Sequence, residues 1–154
     1  MRCHLRPTSL AAVLLASAGL LAAACASPAD QAAPPFKPVA TVDEVMDGIV
    51  IPGSNAIFDA VIFSNGELVQ APQDDQAWHE LQMQALAVAE AGNLLMMAPR
   101  ARDAGEWMTL SLAMTDRAEV VAQAAAARDG ARLLATGGDL YTTCTECHDK
   151  YLNQ

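Results

Sequence analysis

The chain predicts an all-α fold, an antiparallel up-down-up-down four-helix bundle, on three observations. Four segments carry apolar residues at helical spacing, and none shows sustained strand alternation. The connections between them are mostly short, which turns each helix back along its predecessor. Turn and breaker residues separate the segments at Ser64-Asn65-Gly66-Glu67, Pro99 and Asp129-Gly130.

The first helix is predicted from about Val42 to Phe63, with Val42, Val45, Met46, Ile49, Gly53, Ile57, Ala60 and Val61 on its inward stripe. Pro52 lacks a backbone donor and should kink or split it near Ile51. After turn chemistry at 64–67 and a loop through Pro72, the second helix starts with Asp74 or Asp75 as N-cap and runs to about Met97, where Pro99 ends it. Its buried stripe is Trp78, Leu81, Ala85, Val88, Gly92 and Leu95 or Met96. The third, from Asp103 or Ala104 to Arg128, turns Trp107, Leu110, Met114, Val121 and Ala125 inward. Asp129 caps the fourth, which carries Leu133, Gly137, Leu140, Cys144, His148 and Tyr151. Gly137 and Gly138 cost about 2 kcal/mol together relative to alanine, which points to a close approach at Gly137 or a break there. In this arrangement Val42 and Met46 share an end with Cys144 and His148.

The N-terminus reads as an export signal. Arg2, His4 and Arg6 precede an uncharged apolar run from Leu10 to Ala24, too short for a comfortable membrane span. Ala22-Ala23-Ala24-Cys25 resembles a bacterial lipoprotein cleavage box with Cys25 as the lipidated residue; ordinary cleavage at A-x-A after Ala24 or Ala26 is the alternative. The expected organisation is a signal peptide over 1–24, a Pro/Ala-rich tether over 25–40 and one helical domain over 41–154, located in the periplasm and tethered to a membrane if Cys25 carries lipid. Of 154 residues, nine are Lys or Arg and eighteen Asp or Glu. Loss of Arg2 and Arg6 leaves seven basic residues against eighteen acidic, a formal charge of −11. Such a surface disfavours nucleic acid and anionic lipid and favours a partner with a basic docking face.

Of the four cysteines, Cys3 leaves with the signal, and Cys25 is acylated, removed, or left free at the new terminus. Cys144, Cys147 and His148 remain, as C-x-x-C-H, the signature of covalent c-type haem attachment. On a helix, cysteines three apart lie on one face and can each form a thioether to a haem vinyl group. His148, four on from Cys144, shares that face and is the proximal iron ligand. A redox dithiol would stand at the start of a helix after a strand, whereas this pair ends a helical pattern. A zinc site needs four ligands, and the mature chain adds only His79.

An exported, helical chain with C-x-x-C-H on its last helix resembles the class II c-type cytochromes, the group of cytochrome c-prime and its methionine-ligated low-spin relatives. The resemblance covers roughly Thr41 to Tyr151; its specific motif is Cys144, Cys147, His148 and the aromatic Tyr151 three residues on. It departs at Leu152 and Thr145, where the family usually carries, respectively, a basic residue and often one. Lys150 is the candidate substitute.

The resemblance implies one covalent haem c, electron transfer without enzymatic turnover, and a homodimer paired through the first two helices. Met46, about one turn into the first helix where methionine-ligated members place their ligand, is the expected sixth ligand to iron. Core filling is the other reading of Met46. Met96, Met97 and Met108 are competitors, and Met83 and Met114 are expected too far away. Trp107 is expected to pack against the macrocycle or simply in the core, and Arg100 and Arg102 to pair with propionates or remain solvated. His79 is expected on the surface, and Asn93 needs a partner if buried. An empty apolar sixth position would instead make a gas-binding protein, and tight association a haem subunit of a respiratory complex.

Overall fold

Residues 36–152 are described by the computed structural model; the predicted signal peptide, Cys25 and most of the tether lie outside them. The described part is mostly helical, with α1 over Val42–Val45, α2 over Ile51–Phe58, a small hairpin of β1 (Ile62–Ser64) and β2 (Glu67–Gln70), then α3 (Asp75–Met96), α4 (Glu106–Ala126) and α5 (Gly130–Tyr151).

The first helix opens on a capping box: Thr41 Oγ1 accepts from the Glu44 backbone while Glu44 returns to the Thr41 N–H. Between α1 and α2 the chain neither breaks nor stays regular. Met46–Val50 forms a π-helical turn in which the Ile51 N–H reaches Met46 O. The turn stands directly before Pro52, whose ring would collide with the carbonyl four residues back in a regular α-helix. The extra residue rotates the inward face by about 100°. Val50 and Ser54 are therefore buried beside Gly53 and Ile57, two positions the unbroken stripe omitted.

The first helix ends at Phe58, not near Phe63. The residues predicted as its last turn begin the hairpin, which pairs Phe63 with Leu68 and Ser64 with Glu67. Asn65 (φ 52°) and Gly66 (φ 84°) are both left-handed, the requirement of a two-residue turn that matches the twist of paired strands. Seven residues were too few, and too polar, to register as strand alternation. Val61 is buried from the loop before β1 rather than from the helix.

The later helices match their predicted bounds closely. Asp74 caps α3 by accepting from Ala77 N at 2.8 Å, and Asp129 caps α5 by accepting from Arg132 N at 2.9 Å. The third helix starts at Glu106, later than expected, because Asp103 Oδ1 accepts from both Gly105 N and Trp107 N ahead of the first turn.

Contacts between α3 and α4 run in opposite sequence order: Trp107 Nε1 donates to Leu95 O at 2.8 Å, and Thr115 Oγ1 to Ala89 O at 3.1 Å. The seam is made of small residues, with Ala85, Ala89, Ala118 and Ala122 all buried. At Gly92 a β-carbon would lie 2.7 Å from Ser111 O, so this position has to be glycine for the helices to approach as they do. Gly53 is similarly close to α3: a β-carbon there would lie 2.7 Å from Val88 Cγ2. The predicted close approach at Gly137 is an ordinary one: a β-carbon there would sit 3.6 Å from Ile57 Cγ2, and α5 continues through both glycines. No helix among the described residues is long and apolar enough to cross a membrane.

Candidate functional site

The last two turns of α5 present Cys144, Cys147 and His148 to a cavity of about 650 Å³. Val50, Ile51, Ser54 and Phe58 wall it from the first helix, Leu110, Ser111 and Met114 from α4, and Leu95 from α3. That volume and apolar lining suit a small organic group, which such cavities enclose on most sides. A second cavity of about 230 Å³ shares Asp43, Met46, Cys147, His148 and Leu152 with it and adds Val42, Arg102, Trp107 and Tyr151. Met46 thus borders both spaces, together with Cys147 and His148. It opens the π-helical turn, a local geometry that recurs at functional sites.

Both cysteines are free thiols, half-buried. Burial pushes each thiol above its ordinary pKa, and for Cys147 the neighbouring Cys144 adds to the effect. They are therefore neutral near pH 7 and slow as nucleophiles. His148 is exposed at the outer margin. Among the described residues no three His, Cys, Asp or Glu side chains are grouped to hold a metal ion. His79 is exposed near the start of α3 and borders neither cavity.

The turn carrying the histidine is latched to the start of α4. Tyr151 Oη donates to Asp103 Oδ2, while the other oxygen of that carboxylate holds Gly105 N and Trp107 N at 2.8 and 3.1 Å. The rings of Tyr151 and Trp107 meet edge to face, 5.0 Å apart at 82°, a favourable arrangement of their quadrupoles. Lys150 pairs with Glu106 alongside. The bond to Asp103 pushes the Tyr151 phenol up to about 12, and the same bond, with the Gly105 amide, lowers the Asp103 carboxyl.

Several expected residues fall elsewhere. Arg100 is 6% exposed, and its guanidinium ties the chain before α1 to the end of α3 by donating to Ala40 O at 2.8 Å and Leu94 O at 3.1 Å. It borders neither cavity, whereas the exposed Arg102 borders the smaller one. Met114, expected to be too distant, is buried and lines the larger cavity. Met96, Met97 and Met108 line neither, and Met83 is exposed. Asn93 is exposed and bonds Glu90 at 3.2 Å.

Sequence reasoning misses Ser111, and it misses the bond of Asp103 to Tyr151. A serine in a helical stripe carries no signal of its own, and Asp103 read only as a helix-start residue. In comparisons with known proteins the chain matches no family model, no curated protein and no solved structure.

Proposed function

We propose that the chain is an exported c-type cytochrome of four antiparallel helices in up-down-up-down order, which passes electrons through one covalently held haem c. The observation that carries this reading is the convergence of Cys144, Cys147, His148 and Met46 on adjoining cavities. The donor set fits the group: two thiols three residues apart for two vinyl carbons, an imidazole and a thioether for iron, and an apolar wall for the ring. His148 and Met46 would hold the iron, His148 from α5 and Met46 from the first helix. Haem supplies a one-electron iron couple, and a thioether ligand raises its potential. The chain's own residues exclude water with Phe58, Leu95 and Leu110, and hold the histidine's turn through Tyr151, Asp103 and Trp107. Arg102, rather than Arg100, is the cation at the margin and pairs with a propionate.

The protein has no turnover of its own in this reading. It works in the periplasm, as a lipoprotein anchored through Cys25 or released, and delivers electrons to a partner with a basic face. It binds no nucleic acid and pairs as a homodimer.

The test is a pyridine haemochrome on protein matured in the periplasm, after acid-acetone extraction, with redox spectra repeated on Met46→Ala. We expect retained pigment, sharp low-spin bands in the parent and a high-spin, carbon monoxide-responsive spectrum in the variant. Colourless protein with the mass of bare polypeptide rejects haem. A parent already high-spin rejects Met46 as ligand and leaves a gas-binding protein.

A further inference from the structure

Among the described helical residues, eight are serine or threonine: Ser54, Thr109, Ser111, Thr115, Thr136, Thr142, Thr143 and Thr145. Seven return their hydroxyl to a carbonyl three or four residues earlier, as Ser54 does to Val50 O at 2.7 Å and Thr143 to Leu140 O at 2.7 Å. This back-bond is the usual refuge of a hydroxyl in a helix. Ser111 is the exception. It is 3% exposed, lines the larger cavity, and its Oγ is the buried side-chain oxygen or nitrogen among the described residues that lacks a hydrogen-bond partner. An unsatisfied buried hydroxyl is costly, and the cost disappears if the cavity's occupant supplies the partner.

We infer that Ser111 is a ligand-contacting residue whose hydroxyl would donate to the iron-ligating atom that His148 does not supply. This rests on the haem reading of the site. The choice follows from what a bound haem offers. The ring edge is apolar, and charged propionates need water or a cation, which a position this buried denies them. The His148 ring is exposed, so water can satisfy its free nitrogen. The axial atom remains: the Met46 sulfur, a weak acceptor, or a small exogenous ligand that takes its place. Ser54, Thr143 and Thr145, the other serine and threonine hydroxyls on this wall, are already engaged by their own helix, and Tyr141 is exposed to solvent.

The test compares holoprotein with Ser111→Ala and Ser111→Thr, each checked for full haem content by pyridine haemochrome. Loss of a donor leaves coordinated sulfur richer in electrons and favours ferric iron. Ser111→Ala should therefore lower the midpoint potential, and Ser111→Thr should restore it. The same alanine change is made in a Met46→Ala background and ferric cyanide binding is titrated. If the acceptor is an exogenous ligand, affinity should fall roughly five- to tenfold, the worth of one hydrogen bond, while the potential in the parent background stays put. A shift in either arm supports the inference and identifies the acceptor. Haem-loaded variants unchanged in both overturn it, even if Ser111→Ala melts higher, because the hydroxyl is then only a packing defect. Wild-type protein without haem rejects the function proposed for the site and this role together.

Discussion

At the scale of single residues, the most tightly confined glycine among the described residues is Gly92. Gly92 lets α3 lie against the Ser111 carbonyl, and any β-carbon there would meet backbone at 2.7 Å as well as the Thr115 hydroxyl. Alanine normally favours a helix over glycine by about 1 kcal/mol, but here the gain is overridden by overpacking, which costs about 1–3 kcal/mol. Gly92→Ala should lower the thermal midpoint by several degrees in a circular-dichroism melt. An equal or higher midpoint would mean the seam yields without cost. Arg100 makes a related point. Its charge suggested an anion site, yet the side chain is buried as a cross-brace between two carbonyls sixty and six residues away in sequence.

At the scale of elements, the final turn of α5 depends on a phenol–carboxylate contact whose two partners shift in opposite directions. Asp103 titrates below its ordinary 3.8 in the fold, so its contribution is present above that pH and is lost as pH falls through the depressed folded value. Tyr151 titrates near 12 instead of 10, so the unfolded chain ionises first, and stability contributed below pH 10 is lost as pH climbs towards 12. Tyr151→Phe keeps the ring against Trp107 but removes the hydroxyl. Urea melts across pH should show the parent losing stability at both extremes and the variant losing less at each. Superimposable profiles would show that the latch does not hold in solution. The π-helical turn is the other element-scale decision. It delivers Met46 to the cavities and, by adding a residue, buries Val50 and Ser54 in place of a straight continuation of the α1 face.

At the scale of the whole molecule, charge is the dominant fact. Eighteen acidic residues against nine basic ones give a formal charge of −9 over the entire sequence, and such a field steers cationic partners over a distance set by salt. With a basic redox partner, the association rate measured by stopped flow should fall steeply between low and physiological ionic strength, with little change in the electron-transfer step that follows docking. A salt-independent rate would remove the basic docking face from the proposal.

The sequence by itself determined where the long helices lie, because that information is local. Asp74 and Asp129 cap their own first turns, Pro99 cannot continue α3, and Asn65-Gly66 can adopt the left-handed pair that a tight turn demands. It also marked Cys144, Cys147 and His148 by spacing alone. Tertiary structure decided what those residues face. Met114 rather than Met96, Met97 or Met108 reaches the larger cavity, Arg102 but not Arg100 borders the smaller one, and Ser111 alone among the serines and threonines of the described helices keeps its hydrogen unshared. The reason is phase: one inserted residue before Pro52 and the glycine-limited spacing at Gly92 set how the helices are rotated and how closely they meet. Neither quantity is written in the periodicity of any single helix.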